Sequence, residues 1–263
     1  MSLKSDAVLY RVHDGIAEIR FNRPKRLNAL GIEVAHGFAD AVDRVASDPD
    51  IKVVVVSSEG RAFVAGGDLG HFKASADRRV AAAQLINPLH AALEKLALSS
   101  AVTIGSLKGA VAGAGMSIAL NLDLVIAAED VTFNLAYARV AASPDCGGSW
   151  ALPRLVGYRR ALEIALLSET LAVEEAHRLG LVNKIVPLAE LEAETAKLAG
   201  RLASGASFAH GRIKRLMRQS LERSYPEQLG AEAQSFLECA ATDDFSEALA
   251  AFFDKRKPKF SGG

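Results

Sequence analysis

The chain has 263 residues, half of them hydrophobic, and balances 31 Lys+Arg against 31 Asp+Glu. That length suits one large domain or a core with a small appendage, and the hydrophobic share is ample for a real core. Balanced charge removes the global field of a nucleic-acid or anionic-membrane binder, two cysteines make a poor disulfide framework, and no stretch approaches ~18 uninterrupted apolar residues. A soluble protein of a reducing, cytoplasmic compartment is expected, with neither nucleic acid nor membrane as partner, and no metal-type Cys/His spacing.

In chain order, residues 7–12 and 16–21 alternate apolar and polar positions around His13-Asp14-Gly15, which predicts a β-hairpin. Ala29, Ile32, Phe38, Ala41, Val42 and Val45 recur at roughly helical spacing and predict a helix over 29–46, ended by Asp48-Pro49. Residues 51–56 are β-branched at every position but Lys52, the mark of a strand covered on both faces. A glycine-rich loop, Val64-Ala65-Gly66-Gly67-Asp68, precedes a predicted helix over 76–98 and a strand over 102–107. A second small-residue loop, Gly109-Ala110-Val111-Ala112-Gly113-Ala114-Gly115, leads into an apolar helix, and 124–127 reads as a short strand. From about residue 147 the pattern is mostly helical, with one β-like interruption at 181–187. Strands alternating with helices, then a helical tail, indicate an α/β core over 4–200 and a C-terminal helical region over 201–263, which packs on the core or on another subunit.

The first loop follows a strand and has glycines where its backbone can approach a ligand. The second opens a helix, where free N–H groups and the helix dipole favour negative charge. Together two such donors can hold an oxygen that gains negative charge in a reaction. Each loop alone also reads as a tight turn or a close-packed helix start, and neither matches a P-loop or a GxGxxG fingerprint.

The order and spacing of several segments add specificity. They are Asn22-Arg23-Pro24-Lys25-Arg26-Leu27-Asn28-Ala29-Leu30, Ala62-Phe63-Val64-Ala65-Gly66-Gly67-Asp68-Leu69, the second small-residue loop, Pro144-Asp145-Cys146-Gly147-Gly148-Ser149, Leu152-Pro153-Arg154-Leu155-Val156-Gly157 and Ala251-Phe252-Phe253-Asp254-Lys255-Arg256. In this series the chain resembles the crotonase (enoyl-CoA hydratase/isomerase) superfamily over nearly its whole length. The resemblance implies an α/β fold, a crotonase-like spiral of ββα units with a C-terminal helical trimerisation region, assembled as a homotrimer or homohexamer. It implies an acyl-CoA substrate, with coenzyme A as part of the substrate and no separate cofactor. By the same resemblance, Gly67 and Ala114 supply the oxyanion N–H groups. Arg26, Leu27, Ala65, Asp68 and Leu69 border coenzyme A, and Phe252 and Lys255 reach it from the C-terminal end.

Hydratases of this kind use two glutamates, and the matching positions here are Ser117 and Tyr137, neither an efficient base at neutral pH. Asp145 stands just before a predicted helix. By itself it reads as an N-cap; by resemblance it is the catalytic acid/base. The Pro-Asp-Cys-Gly-Gly run is most similar to ring-1,2-epoxyphenylacetyl-CoA isomerases of phenylacetate degradation. An isomerase that shifts a proton through a stabilised enolate is therefore expected, with Tyr137, Ser117, Trp150 and His90 lining the substrate pocket. The alternatives are an enoyl-CoA hydratase, an aryl-CoA dehalogenase using Asp145 and His90, and a non-catalytic acyl-CoA-binding homologue. Asp123 reads as a structural cap or pair, Asp68 as a residue that orients the first loop, and Arg212, Lys214, Arg215 and Arg218 as a solvated helix face.

Overall fold

Asp14 and Gly15 both take left-handed backbone angles, φ 48° and 73°, the geometry of a two-residue hairpin turn. They join β1 (Val8–His13) to β2 (Ile16–Phe21), paired antiparallel from Val8↔Phe21 to His13↔Ile16. The structure, a computed structural model, describes residues 6–262. Residues 4 and 5 of the expected core span, and Gly263 of the C-terminal one, lie outside the described residues.

Helix α1 (Ile32–Ser47) begins three residues later than its periodicity suggests. Leu30 is drawn into a parallel bridge with Gly67, so the chain turns helical only after Gly31. Strand β3 (Val53–Ser58) then lies parallel to β2. Its valines alternate between two cores: Val54 and Val56 join the cluster under α1, while Val53 and Val55 join Ile104, Ala199 and Ala203 on the opposite face. Where this strand is covered from both sides it is apolar on both faces, which is why Val53–Val56 read as a continuous run.

The segment before α3 (Arg78–Leu98) holds a separate short helix, α2 (Leu69–Ala74), absent from the periodicity reading because six residues carry too little repeat. Next come β4 (Val102–Leu107), β5 (Ala110–Ala112), α4 (Ala114–Leu120), β6 (Leu124–Ala128) and β7 (Thr132–Asn134). Then follow α5 (Gly148–Val156), α6 (Tyr158–Leu167), β8 (Leu171–Ala172), α7 (Val173–Arg178), β9 (Lys184–Val186) and α8 (Leu191–Ala203). Three helices close the chain: α9 (Ser207–Gln219), α10 (Tyr225–Ala240) and α11 (Asp243–Phe253). The main sheet has the order β1-β2-β3-β4-β6-β9, and every pair but the first is parallel. A second sheet, β5-β7-β8, uses strands of two or three residues, too short to show an alternation in sequence. The expected division at residue 200 falls within α8, and the helical region proper starts at α9.

Lys214 corrects the reading of α9 as a solvated basic face. It is buried, and its Nζ donates to Leu96 O (2.9 Å) and Ala101 O (2.8 Å) and pairs with Asp123 Oδ2 at 2.9 Å. Asp123 also accepts from Thr103 N and Oγ1 and faces Arg218 Nη1 at 3.2 Å. The role of Asp123 is therefore structural, pinning α9 to the sheet. Removing one partner of a buried pair strands the other charge. Asp123→Ala should lose about 3 kcal/mol or more of stability in urea unfolding; a loss under about 1 kcal/mol would show that water replaces the carboxylate.

Candidate active site

The first loop is held by a buried asparagine. Asn28, at φ 56°, accepts Arg23 N (2.7 Å) and donates through Nδ2 to Glu59 O and Ala62 O, both at 2.9 Å. Ala65 N reaches Leu27 O at 3.1 Å, so Leu27 and Ala65 stand side by side. Leu30 N donates to Gly66 O and Asp68 N donates to Leu30 O, both at 2.9 Å. In a parallel bridge these bonds flank Gly67 and leave its own N–H directed away from Leu30. Asp68 caps α2 through Gly70 N (3.1 Å) and meets Arg23 Nη1 at 3.3 Å, so its carboxylate orients the loop. Arg26 and Leu69 are exposed beside it, Leu69 at 58%.

The second loop runs against the first. Val111 bridges Val64, Ala112 N donates to Val64 O at 2.9 Å, and Gly113 N donates to Asn134 O at 2.9 Å. Gly113 has φ 52°, and a methyl group there would come within 3.3 Å of Gly66 Cα. No larger residue allows this approach without a shift. Ala114 opens α4, where N–H groups have no helical acceptor. Among the described residues, neither Gly67 N nor Ala114 N is given a hydrogen-bond acceptor. Two free amides on touching loops, one at a helix N-terminus, form an arrangement able to hold an anionic oxygen.

Asp145 arrives from the other side. Residues Tyr137–Val140 make a 3-10 turn between left-handed Ala136 and Ala141, and Cys146 (φ 49°) and Gly147 (φ 74°) swing the chain into α5. Helix α5 is capped at Gly147 with no side-chain cap, so the N-cap reading of Asp145 is corrected. Its Oδ1 instead accepts the Tyr137 hydroxyl, and Ser117 Oγ lies 3.1 Å from that hydroxyl. A phenol has one proton to give, so Ser117 donates to Tyr137 and Tyr137 to Asp145. Asn121 Nδ2 donates to Cys146 O (3.1 Å) and to Ser117 O (2.9 Å), bolting the aspartate turn to α4. Gly148 packs on the same helix, where a Cβ would fall 2.4 Å from Ser117 Oγ.

His90 Nε2 accepts Cys146 N–H at 3.0 Å. Its ring is therefore the neutral tautomer with the proton on Nδ1. Trp150 lies elsewhere. Its ring is stacked by Arg154 (4.1 Å) and approached by Arg218 (5.5 Å), and it lines a cavity of about 640 Å³ with Phe208 and Arg215. That cavity contains neither Asp145 nor the two free amides. Phe252 is 77% exposed and Lys255 is exposed past the end of α11, so within one chain both face outward. The sequence reading did not single out Asn121, or Phe72, whose ring lies 3.7 Å from where a Gly67 Cβ would stand. An asparagine in an apolar helix signalled the first; nothing signalled the second. Among the described residues no cluster of three His, Cys, Asp or Glu could cage a metal, and no helix is long and apolar enough to cross a membrane.

The Enoyl-CoA hydratase/isomerase family model matches residues 11–263. A Rhodobacter capsulatus protein named as a probable enoyl-CoA hydratase is 35% identical, covering 97% of this chain and 98% of its own. The 1,2-epoxyphenylacetyl-CoA isomerase of Escherichia coli is 33% identical over the same shares. A crystal structure of an enoyl-CoA hydratase from Polaromonas sp. JS666 superposes with TM-score 0.90 at 32% identity, covering 96% of this chain and 98% of that one.

Burial first, then the Asp145 charge, pushes both Tyr137 and Cys146 up from the ordinary 10.0 and 9.0. Folded values above unfolded ones mean a stability contribution that is whole below about pH 9 and is lost as pH rises beyond it. The unfolding free energy should therefore fall by about 1.4 kcal/mol per pH unit for each such group once pH exceeds its ordinary value, 9.0 for Cys146 and 10.0 for Tyr137. Cys146→Ala should flatten that slope in urea titrations at stepped pH. An unchanged slope would mean that the thiol ionises freely in the fold.

Proposed function

The chain belongs to the enoyl-CoA hydratase/isomerase family, and within it we propose an isomerase that moves the double bond of a 3-enoyl thioester with Asp145 as its single acid/base. What supports this reading is the identity of the groups around that carboxylate: Ser117 and Tyr137 contribute hydroxyls, and among the described residues no second acid joins the chain of hydrogen bonds from α4. Asp145 takes a proton from the α-carbon, and the electron pair spreads into a dienolate whose oxygen accepts from Gly67 N and Ala114 N. The proton then returns to the γ-carbon, giving the 2-enoyl thioester. Carboxylate and thioester begin and end in the same charge state. Coenzyme A enters as part of the substrate, along Arg26, Leu27, Ala65, Asp68 and Leu69.

Hydration needs a second group to activate water, and a tyrosine held as a donor to Asp145 does not supply it. Dehalogenation would need His90 to take a proton from water, yet its Nε2 lone pair is engaged by Cys146 N–H. Phenylacetate-derived thioesters are one substrate set for this site, with epoxyphenylacetyl-CoA as the first to try. The two free cysteines fit a reducing cytoplasm.

Asp145→Asn should lower kcat for 3-enoyl-CoA to 2-enoyl-CoA conversion by about 100-fold or more, with the circular dichroism spectrum unchanged. Full activity in that variant would remove Asp145 from the chemistry.

We also propose that chains assemble, as a trimer or a pair of trimers, through the apolar faces of the C-terminal helices. Leu229, Phe236 and Leu237 on α10 and Leu249, Phe252 and Phe253 on α11 are all exposed in one chain, more large apolar surface than a monomer ordinarily leaves in water. Phe252 and Lys255 would then meet a neighbour's coenzyme A. Light scattering should find three or six chains per particle, and Phe236→Glu with Leu237→Glu should shift it toward monomer; a monomeric wild type would overturn this assembly.

A further inference from the structure

Asp145 has two oxygens, and the fold treats them differently. Oδ1 accepts the Tyr137 hydroxyl, while among the described residues no N–H or O–H donor reaches Oδ2, and the buried Cys146 thiol, a weak donor, is the carboxylate's further hydrogen-bond neighbour. Behind Tyr137 stands Ser117, fully buried, whose hydroxyl meets, among the described residues, the phenol oxygen 3.1 Å away. The titratable groups around the carboxylate are Tyr137 from the 3-10 turn, Cys146 from its own turn, and His90 of α3, which reaches that turn through Cys146 N.

We propose that Tyr137 is a positioning residue for Asp145: backed by Ser117, its hydroxyl fixes Oδ1 and leaves Oδ2 as the one oxygen that carries the proton. This rests on the isomerase reading above. The α C–H bond breaks and an O–H bond forms at Oδ2. That bond then breaks as the proton joins the γ-carbon, the C3=C4 double bond moves to C2=C3, and Asp145 is again an anion. Tyr137 never gives up its own proton, because burial and the neighbouring charge hold the phenol protonated. Oδ1 is thus no exit to solvent, and the hydrogen taken from the α-carbon is the one returned.

A 3-enoyl-CoA carrying two deuterium atoms on its α-carbon reads this directly. Wild type should deliver deuterium to the γ-carbon in a substantial share of turnovers. Tyr137→Phe keeps the ring and loses the donor. It should cut kcat roughly tenfold to a hundredfold, the worth of a hydrogen bond to a charged group, with KM within about threefold. Deuterium transfer should fall because the freed carboxylate rotates and exchanges, and Ser117→Ala should give a smaller loss in the same direction. Unchanged kcat and unchanged transfer in Tyr137→Phe, or a loss confined to KM, would overturn the proposal. A second measurement does not depend on isomerisation. In ultraviolet titration, the tyrosinate signal that Tyr137→Phe removes should appear at lower pH in Asp145→Asn than in wild type. Coincident titrations would place Tyr137 away from the carboxylate and overturn the proposal. Wild-type inactivity toward every 3-enoyl thioester would count against the isomerase reading alone, and the titration would then decide the placement of Tyr137 by itself.

Discussion

Two segments that leave neighbouring strands of the parallel sheet approach so closely that a methyl group on Gly113 would come within 3.3 Å of Gly66 Cα. That contact decides which backbone groups are satisfied and which are not. Once the loops touch, their outer amides are used in the bridges Leu30↔Gly67 and Val64↔Val111, and the Gly67 and Ala114 amides are left over. A free amide costs stability where it is buried, as at Ala114, on the order of 1–3 kcal/mol. The fold tolerates two of them because the surrounding backbone, anchored by Asn28 and Asp68, is over-determined. The same rigidity preorganises them as donors, since they need not reorient when an oxygen gains charge.

Helix α4 carries this constraint to the acid. Ala114, Ser117 and Asn121 stand at i, i+3 and i+7, one face of the helix. The first has a free amide, the second backs Tyr137, and the third holds the Cys146 carbonyl. One short, fully buried helix therefore sets the distance between that free amide and the Asp145 carboxylate. The glycine at position 148 allows the aspartate turn to lie directly on that face. Burial makes this packing affect ionisation as well, by holding the phenol and thiol around Asp145 in their neutral forms.

Much of this was legible in the sequence, and the limits follow from physics. Long periodic elements such as α1, α3 and β4 declare themselves because every residue reports burial. The strands β7 and β8 are silent: two or three residues cannot display an alternation, and their partners come from distant parts of the chain. Asp145 was found through its neighbours in sequence, but its bond to Tyr137 was not, since a donor eight residues away faces it only after the chain turns back through left-handed Ala141. Lys214 misled for a related reason. A lysine beside three arginines reads as solvated, and it is the meeting with Asp123, just before β6 and more than ninety residues earlier, and with two backbone carbonyls that allows its burial.

The basic helix α9 also bears on the chemistry. Arg218 donates to Asn121 O at 3.2 Å as well as pairing with Asp123, and Asn121 holds the turn that bears Asp145. A displacement of α9 would be felt at Asn121 before it reached any residue that touches substrate. The exposed apolar faces of α10 and α11 follow α9 in the chain. One asparagine and one arginine thus tie the basic helix to the turn that bears Asp145.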